Sequence, residues 1–467
     1  MLPHVPRMTV LAGQSVVVTA IALGAAIGVL VGLDAQSQVS RGLPFMWSMI
    51  GLTLCGVACL LVRKGADWFA HRDAIAVGMI IVACGMTGLN IGPLEPTDFA
   101  FLAILLFWMI STFVEHRPVV TPVPVLVLLA AIMMFGFTSI VNGLFMTILK
   151  QHTLISKIVL VFLLTNIVTT PALHRLGLRI VVVVAVASAI VAVGTELLYI
   201  LTEVTLTFDD TRDYWLKDTP FGPLMRATSF TSTPQGLGHL LILGAALVLC
   251  MPLRYWTRML LLSILAAGVA CTLSSGAFLT LSVILVFSLF VINPHRSLLY
   301  GTCLVGAVLV AHAFGLIEWG YVHVFKPIGH ASAMDRIEFI RLGLQAIERH
   351  PILGMGLSGT YRILPLPIHN VYMQAAAEIG AIGAVMVVAW LAYLLLSAWC
   401  LIKRAPDEHT KRWHKGMFLG LIGMVVHFTA EPFLTHVTSW LFMALAASAA
   451  VAYGRSTPDA PQSDAKH

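Results

Sequence analysis

Apolar runs of about twenty residues recur along the whole chain, and that recurrence limits the fold more than any motif does. Candidate spans lie at about 13–32, 44–62, 73–89, 97–113, 122–142, 154–170, 179–199, 236–252, 257–273, 276–292, 298–315, 371–401, 414–430 and 435–453. Inside a bilayer every backbone N–H and C=O needs an internal partner, so runs of this kind become helices. The expected fold is an all-α polytopic membrane protein with about 12–14 transmembrane helices, one membrane domain covering 1–453. Charged residues make up 11% of the chain, where a soluble domain carries about 25%. A large soluble α/β enzyme is excluded by the number of apolar runs.

The formal charge of +6 is a matter of topology, not of nucleic acid. An even number of spans puts loops 63–72, 114–121, 171–178, 253–256, 293–297 and 402–413 on the same side as both termini. That side collects 17 Lys/Arg and 7 Asp/Glu, against 11 and 15 on the other, net charges of +10 and −4. Arg63, Lys64 and Arg72 lie in the first loop, and Lys403, Arg404, Lys411 and Arg412 in the last. The positive-inside rule makes the terminal side cytoplasmic, where its basic excess meets anionic lipid. Met1–Arg7 lead into Val10–Leu33, which reads as a first anchor rather than a cleaved signal. The tail 454–467 is polar and is expected to be a disordered cytoplasmic segment.

Several chemistries have no foothold. The chain has no P-loop, no nucleotide-binding GxGxxG pattern and no HExxH. Its cytoplasmic loops are too short for a nucleotide-binding domain. The seven cysteines fall in or beside apolar runs with no CxxC pair, as small core hydrophobes would. No Asp/Glu/His set has metal-site spacing, so no metal or other cofactor is expected.

Two extracytoplasmic segments exceed ordinary connections, at 200–235 and 316–370. Long loops on a rigid scaffold commonly carry function. In the first, Arg226 precedes a Ser/Thr-rich approach to the span opening near Gly236. Those residues can cap that helix, whose N-terminus favours an anion, and Arg226 can add a bidentate phosphate contact. The alternative for Arg226 is a snorkelling loop arginine. Ser274-Ser275-Gly276 opens the tenth span on the same face, as a tight turn or as a close-approach point for a phosphate-bearing chain.

In the second segment, Asp335–His350 has helical character and stops at Pro351. Arg336 and Arg341 lie on it, five apart and so divergent; one can balance Asp335 and Glu338 while the other reaches substrate. Gly354, Gly356 and Gly359 keep the following stretch irregular up to His369-Asn370, where an apolar span begins. A neutral imidazole at that mouth can take a proton. Asn370 can orient it or a sugar hydroxyl; equally, the pair can be a helix cap. Glu378, inside the span, and Glu431, at another external membrane edge, are supporting candidates.

The stretch HPILGMGLSGTY…PIHNVYMQAAAEIGAIGA, residues 350–384, resembles the bacterial O-antigen ligase and O-antigen polymerase superfamily. Members show a Pro-Leu-Gly-x-Gly turn, a His-Asn pair and a Glu-x-Gly-x-x-Gly start to a membrane span. The counterparts are Pro351 to Gly356, His369-Asn370 and Glu378 to Gly383, with Ile352 as an extra residue after the proline. The Arg226–Pro234 approach and the charged helix near Arg336 also look like family elements. Members often carry Ser-Arg-Gly where this chain has Ser274-Ser275-Gly276. That arginine is associated with the donor pyrophosphate; with Ser275 in its place, Arg336 or Arg341 would act with Arg226, or the donor would be held differently.

The resemblance implies a metal-independent, inverting membrane glycosyltransferase of the GT-C-like, lipid-linked-sugar type in the bacterial inner membrane. Its donor would be a glycan on undecaprenyl pyrophosphate. Its acceptor would be a lipid-linked repeat unit, for a polymerase, or lipid A–core, for an O-antigen ligase. Catalysis would use His369, and donor binding Arg226, Arg336 and Arg341, on the periplasmic face. Polysaccharide assembly proteins would be further partners, and the product an O-antigen, capsule or exopolysaccharide. Two rival readings stand beside it: a polysaccharide or lipid-linked-substrate transporter or flippase, and a non-enzymatic membrane assembly protein. Weak internal symmetry and candidates gathered on one face count against a transporter.

Overall fold

A computed structural model describes residues 68–87, 96–116, 119–120, 123–141, 145–202, 216–219, 222–231, 233–292, 295, 297–313, 315, 326–357, 359–362, 368–430 and 436–454. The first two candidate spans, much of the first long loop, parts of the second, Glu431 and the tail lie outside them.

The elements in order are α1 (Trp68–Gly85), α2 (Pro96–Glu115), α3 (Val123–Val141), α4 (Phe145–Ile167) and α5 (Pro171–Thr202). A hairpin follows, β1 (Leu216–Thr219) and β2 (Gly222–Met225). Then come α6 (Pro234–Cys250), α7 (Tyr255–Cys271), α8 (Ser275–Ile292), α9 (Ser297–Ala313) and α10 (Lys326–Arg349). A 3-10 turn, Gly359–Arg362, leads to α11 (Val371–Arg404), α12 (Glu408–His427) and α13 (Val437–Gly454). Each of the twelve described candidate spans is a helix, and the molecule is an all-α polytopic membrane protein. Among the described residues, four helices combine the length and apolarity to cross a bilayer by themselves: Pro171–Thr202, Ser275–Ile292, Val371–Arg404 and Val437–Gly454.

The helices differ from the apolar runs at their polar ends. Arg72, expected in a loop, lies inside α1 and is buried. α5 begins at Pro171 rather than near 179 and buries His174, whose Nε2 lies 3.2 Å from the Leu445 carbonyl oxygen. Hydropathy ends a span at the first charge, whereas a helix continues as long as its backbone bonds and packing do. The two-stranded hairpin has no forerunner in the apolar pattern. Its strands pair antiparallel, Leu216 opposite Met225 and Thr219 opposite Gly222.

α6 is the axis of the bundle. Apart from Gln235 and Leu249, every residue in it is buried, because α5, α7, α8 and α12 surround it. A helix apolar on all sides belongs in such a place. Small residues set the spacing: a Cβ on Gly244 would lie 2.6 Å from the Ala185 Cβ. α13 packs against α4, α11 and α6. With lipid as apolar as the core, this close packing replaces the hydrophobic drive of a soluble fold.

Short connections put the α6–α7, α8–α9 and α11–α12 turns at one end of the bundle. There Lys415 donates to the Ile292 carbonyl at 3.2 Å and Arg258 to that of Met251 at 2.8 Å. The opposite end gathers the starts of α6, α8 and α11, β2 and the last residues of α7. It therefore receives both long segments.

Candidate active site

The first half of the site is a seam between the end of β2 and the turn from α7 to α8. The Ala227 N–H donates to the Cys271 carbonyl at 2.9 Å, and Arg226 Nε donates to that of Thr272 at 3.2 Å. The guanidinium is thus anchored by its inner nitrogen beside Ser274-Ser275-Gly276. Two non-glycine residues along the seam sit in the left-handed region, Ser229 at φ 51° and Leu273 at φ 47°. Such conformations persist only where the surroundings enforce them, and they gather at functional sites. Thr233 caps α6 by accepting from the Gly236 N–H at 3.0 Å. Ser274 accepts from Ala277 N–H at 3.3 Å at the start of α8. Two helix N-termini therefore open beside Arg226, a setting that favours an anion.

The second half is the start of α11. Ile368 is fully buried in a small cluster with Ala346 of α10 and Ala377 of α11. It seats over Gly343, where a Cβ would come within 3.0 Å of the Ile368 side chain. Asn370 is the N-cap: its Oδ1 accepts from Met373 N–H at 3.0 Å, and its Nδ2 donates to the Thr429 carbonyl at 3.2 Å. The Val371 N–H donates to the Phe428 carbonyl at 2.9 Å. His369 lies between these two anchors, half-buried, with its ring 6.0 Å from that of Phe339 on α10. Asn370 acts as a cap here and fixes the backbone that carries the imidazole.

About two and a half turns further on, α11 breaks. Gly380 adopts φ 71°, ψ −174°, a conformation essentially reserved for glycine. The loop after α10 fills the break. Met355 N–H donates to the Ala377 carbonyl and Gly356 N–H to that of Glu378, both at 2.9 Å. In return, Ala381 N–H donates to the Pro351 carbonyl at 2.9 Å. The two backbones approach so closely that a Cβ on Gly380 would collide with the Ile352 carbonyl, and one on Gly354 with that of Glu378. Broken backbone at membrane depth is tolerated only where protein satisfies it, as this loop does. The extra residue Ile352 supplies the carbonyl that lies against Gly380.

Glu378 is fully buried at the break. Its Oε1 accepts from the Thr360 hydroxyl at 2.7 Å and from Gln374 Nε2 at 3.4 Å. It ties α11 to the 3-10 turn, and through it to the loop that carries the chain toward His369. Arg341 forms an exposed fork with Glu338, Nη2 to Oε1 at 2.6 Å and Nε to Oε2 at 2.9 Å. This bonding holds the Glu338 carboxyl below its ordinary range. Arg341 thus balances a local carboxylate. The backbone of Arg336 lies in α10, one turn before Phe339. Glu431 lies outside the described residues. No group of three or more His, Cys, Asp or Glu side chains among the described residues is arranged to hold a metal ion.

One buried acid at this end went unnoticed in the sequence. Glu196, the sole acidic residue of α5, is 8% exposed and lies against the Met225 backbone. Its isolation in an apolar helix was the available signal.

Residues 260–388 match the family described as O-antigen ligase. The match spans α7 to the first half of α11, including His369, Glu378, Gly354 and Gly380; Arg226 lies ahead of it. No curated protein matches the chain. The stretch that holds the interlocked start of α11 is thus similar to the O-antigen ligase family, and it lies within a helical membrane architecture.

Proposed function

We propose that this protein transfers a glycan from undecaprenyl pyrophosphate to a sugar hydroxyl, on the periplasmic face of the bacterial inner membrane. The observation that supports this best is the placement of His369. It is held between a buried Ile368 and a capped Asn370, at the same end of the bundle as Arg226 and the starts of α6 and α8.

In this reading Arg226 and the two helix N-termini bind the pyrophosphate, where negative charge grows as the donor bond breaks. His369 accepts the proton of the acceptor hydroxyl. The acceptor oxygen then bonds to the anomeric carbon, the bond from that carbon to the phosphate oxygen breaks, and the lipid pyrophosphate leaves with the electron pair. Displacement in one step inverts the anomeric centre. The donor is already activated, so neither nucleotide hydrolysis nor a metal is needed. Arg336 is the second candidate for the phosphate and Arg341 a third, once released from Glu338. Ser275 and the Glu378 tie support the site, with Glu431 as a further candidate at the same membrane face. Both termini lie in the cytoplasm, and the long loops 200–235 and 316–370 carry the periplasmic surface.

The test is purified protein with a defined lipid-linked donor and, separately, a lipid-linked repeat or lipid A–core as acceptor. Transfer to one acceptor names the protein a polymerase or a ligase, and it should survive EDTA. Release of intact donor across a vesicle membrane without transfer would instead establish a flippase. Loss of transfer in EDTA, restored by Mg²⁺, would contradict the metal-free mechanism.

A further inference from the structure

The two halves of the site stand on different helices, and a buried hydrogen-bonded path joins them. It begins at the Ser274-Ser275-Gly276 turn, where the Gly276 carbonyl accepts from the Thr280 hydroxyl at 2.7 Å. The Thr280 oxygen lies 3.3 Å from Nδ1 of His427, the last residue of α12. The single hydroxyl proton of Thr280 is given to Gly276, so the imidazole is the donor in this pair and His427 carries its proton on Nδ1. The next two residues complete the path. The Phe428 carbonyl accepts from Val371 N–H at 2.9 Å, and the Thr429 carbonyl from Asn370 Nδ2 at 3.2 Å. Those two bonds hold the start of α11 just after His369.

His427 is fixed from a second direction. Its ring meets that of His239 on α6 edge to face, centroids 4.9 Å apart, and His239 Nδ1 lies 3.2 Å from the Ser439 hydroxyl oxygen on α13. Both imidazoles and Thr280 are enclosed, at 2% exposure or less. His239 and Thr280 sit about one and a half turns into α6 and α8. Four helices, α6, α8, α12 and α13, therefore meet on the histidine pair just inside the end that carries the site. Imidazole and hydroxyl groups are costly to bury among leucines unless they find hydrogen-bond partners. Bonds made at such depth fix one arrangement of the helices rather than several of similar energy.

We propose that His427, seated against His239, is a positioning residue for transfer: it locks the end of α12 to the donor-side turn and thereby sets where His369 stands relative to the bound donor. This inference rests on the proposed function above and adds to it a residue that touches neither substrate. Displacement needs the acceptor oxygen, the anomeric carbon and the leaving group in line, and a misplacement of about 1 Å costs on the order of 10²-fold in rate. Donor binding uses one half of the site and does not depend on this spacing.

The experiment compares two readouts on the full chain in detergent: donor affinity, by titration with a fluorescent prenyl diphosphate, and kcat for transfer from a defined lipid-linked donor. His427→Phe keeps a ring and loses the N–H. It should bind the probe within about threefold of wild type while kcat falls on the order of 10–10²-fold. His427→Asn, whose amide donates in place of Nδ1, should recover most of that loss. The acid limb of the transfer profile should be unchanged in each variant, because His369 remains the base. Thr280→Val cuts the path at its other bond and should repeat the kcat loss, so it carries the test if thermal unfolding shows His427→Phe to be misfolded. His174→Ala removes a buried imidazole at the opposite end of the bundle, beside the Leu445 carbonyl, and should leave kcat near wild type. The inference is overturned if the folded His427→Phe or Thr280→Val variant transfers at wild-type kcat, or if His174→Ala slows transfer as much. It is overturned equally if Asn rescues no better than Phe, or if donor affinity falls in parallel with rate. If wild type transfers to neither a lipid-linked repeat nor lipid A–core, the proposed function itself falls and takes the inference with it.

Discussion

The starts of α6 and α11 stand at the same end of the molecule, each capped by a polar side chain, yet they are built in opposite ways. α6 is regular, enclosed on all sides and capped by Thr233, with Arg226 tied down eight residues earlier. α11 is capped by Asn370, breaks at Gly380 and is completed by the backbone of a different segment. Under the proposed function, the contrast follows from what each would hold. A phosphate-binding cation needs a fixed floor, which a wholly buried helix gives. A base that meets an incoming hydroxyl must sit in a half-open mouth, where few neighbours can fix it. There the rigidity comes from the interlock behind it.

Breaking the interlock should therefore have the largest effect on stability. Gly380→Ala forces a side chain into a glycine-only conformation and against the Ile352 carbonyl. A loss of about 3 kcal/mol or more is expected, with transfer lost too. Gly194→Ala, in regular helix with nothing within 4 Å of the new methyl, should be neutral or stabilising by up to about 1 kcal/mol. Thermal unfolding of the two variants in detergent checks this. Equal stability would mean that the break carries no structural weight.

Arg226→Ala tests the α6 side. It should leave folding near wild type and weaken donor binding by about 1.5–3 kcal/mol, with Arg226→Lys recovering only part for lack of the planar fork. Donor titration is the measurement, and unchanged affinity removes Arg226 from the site.

Smaller effects separate the two caps. Thr233→Ala and Asn370→Ala should each cost about 1 kcal/mol of stability. They should differ in function. Asn370 also donates to the Thr429 carbonyl and holds the residue after His369, so its loss should slow transfer as well. If the two variants slow transfer alike, the caps are interchangeable and the positional role of Asn370 is wrong.

How much of this the sequence disclosed depends on the range of the interaction. Local signals read well: the described spans, the stop at Pro351, the Thr-rich cap before α6 and the His369-Asn370 mouth all follow from periodicity and capping chemistry. The cap reading of Asn370 was open beside an orienting one, and its hydrogen bonds fit the cap. Pairings distant in sequence did not read. Gly380 stood in the sequence as part of a Glu-x-Gly-x-x-Gly start to a span; only the approach of Pro351–Gly356 explains why it must be glycine. Glu378 stood out only as a charge inside an apolar span; that it accepts from the Thr360 hydroxyl needed the fold. That Arg341 forks onto Glu338 is a question of rotamers rather than spacing. Glu196 was hidden by its surroundings, one acid inside thirty-two mostly apolar residues.

The central claim is that His369 acts on the acceptor as a base, and its most direct test separates binding from transfer. Donor affinity and transfer rate should be measured from about pH 5 to about pH 8, the range in which histidines change charge, for wild type and His369→Ala. The account predicts that the variant keeps its fold and donor affinity while transfer drops on the order of 10²–10⁴-fold. Wild-type transfer should fall in acid, because a base must be unprotonated, and the residual transfer of the variant should lose that dependence. A variant that loses donor affinity and keeps the wild-type pH profile of transfer would contradict the claim and move His369 to the leaving pyrophosphate.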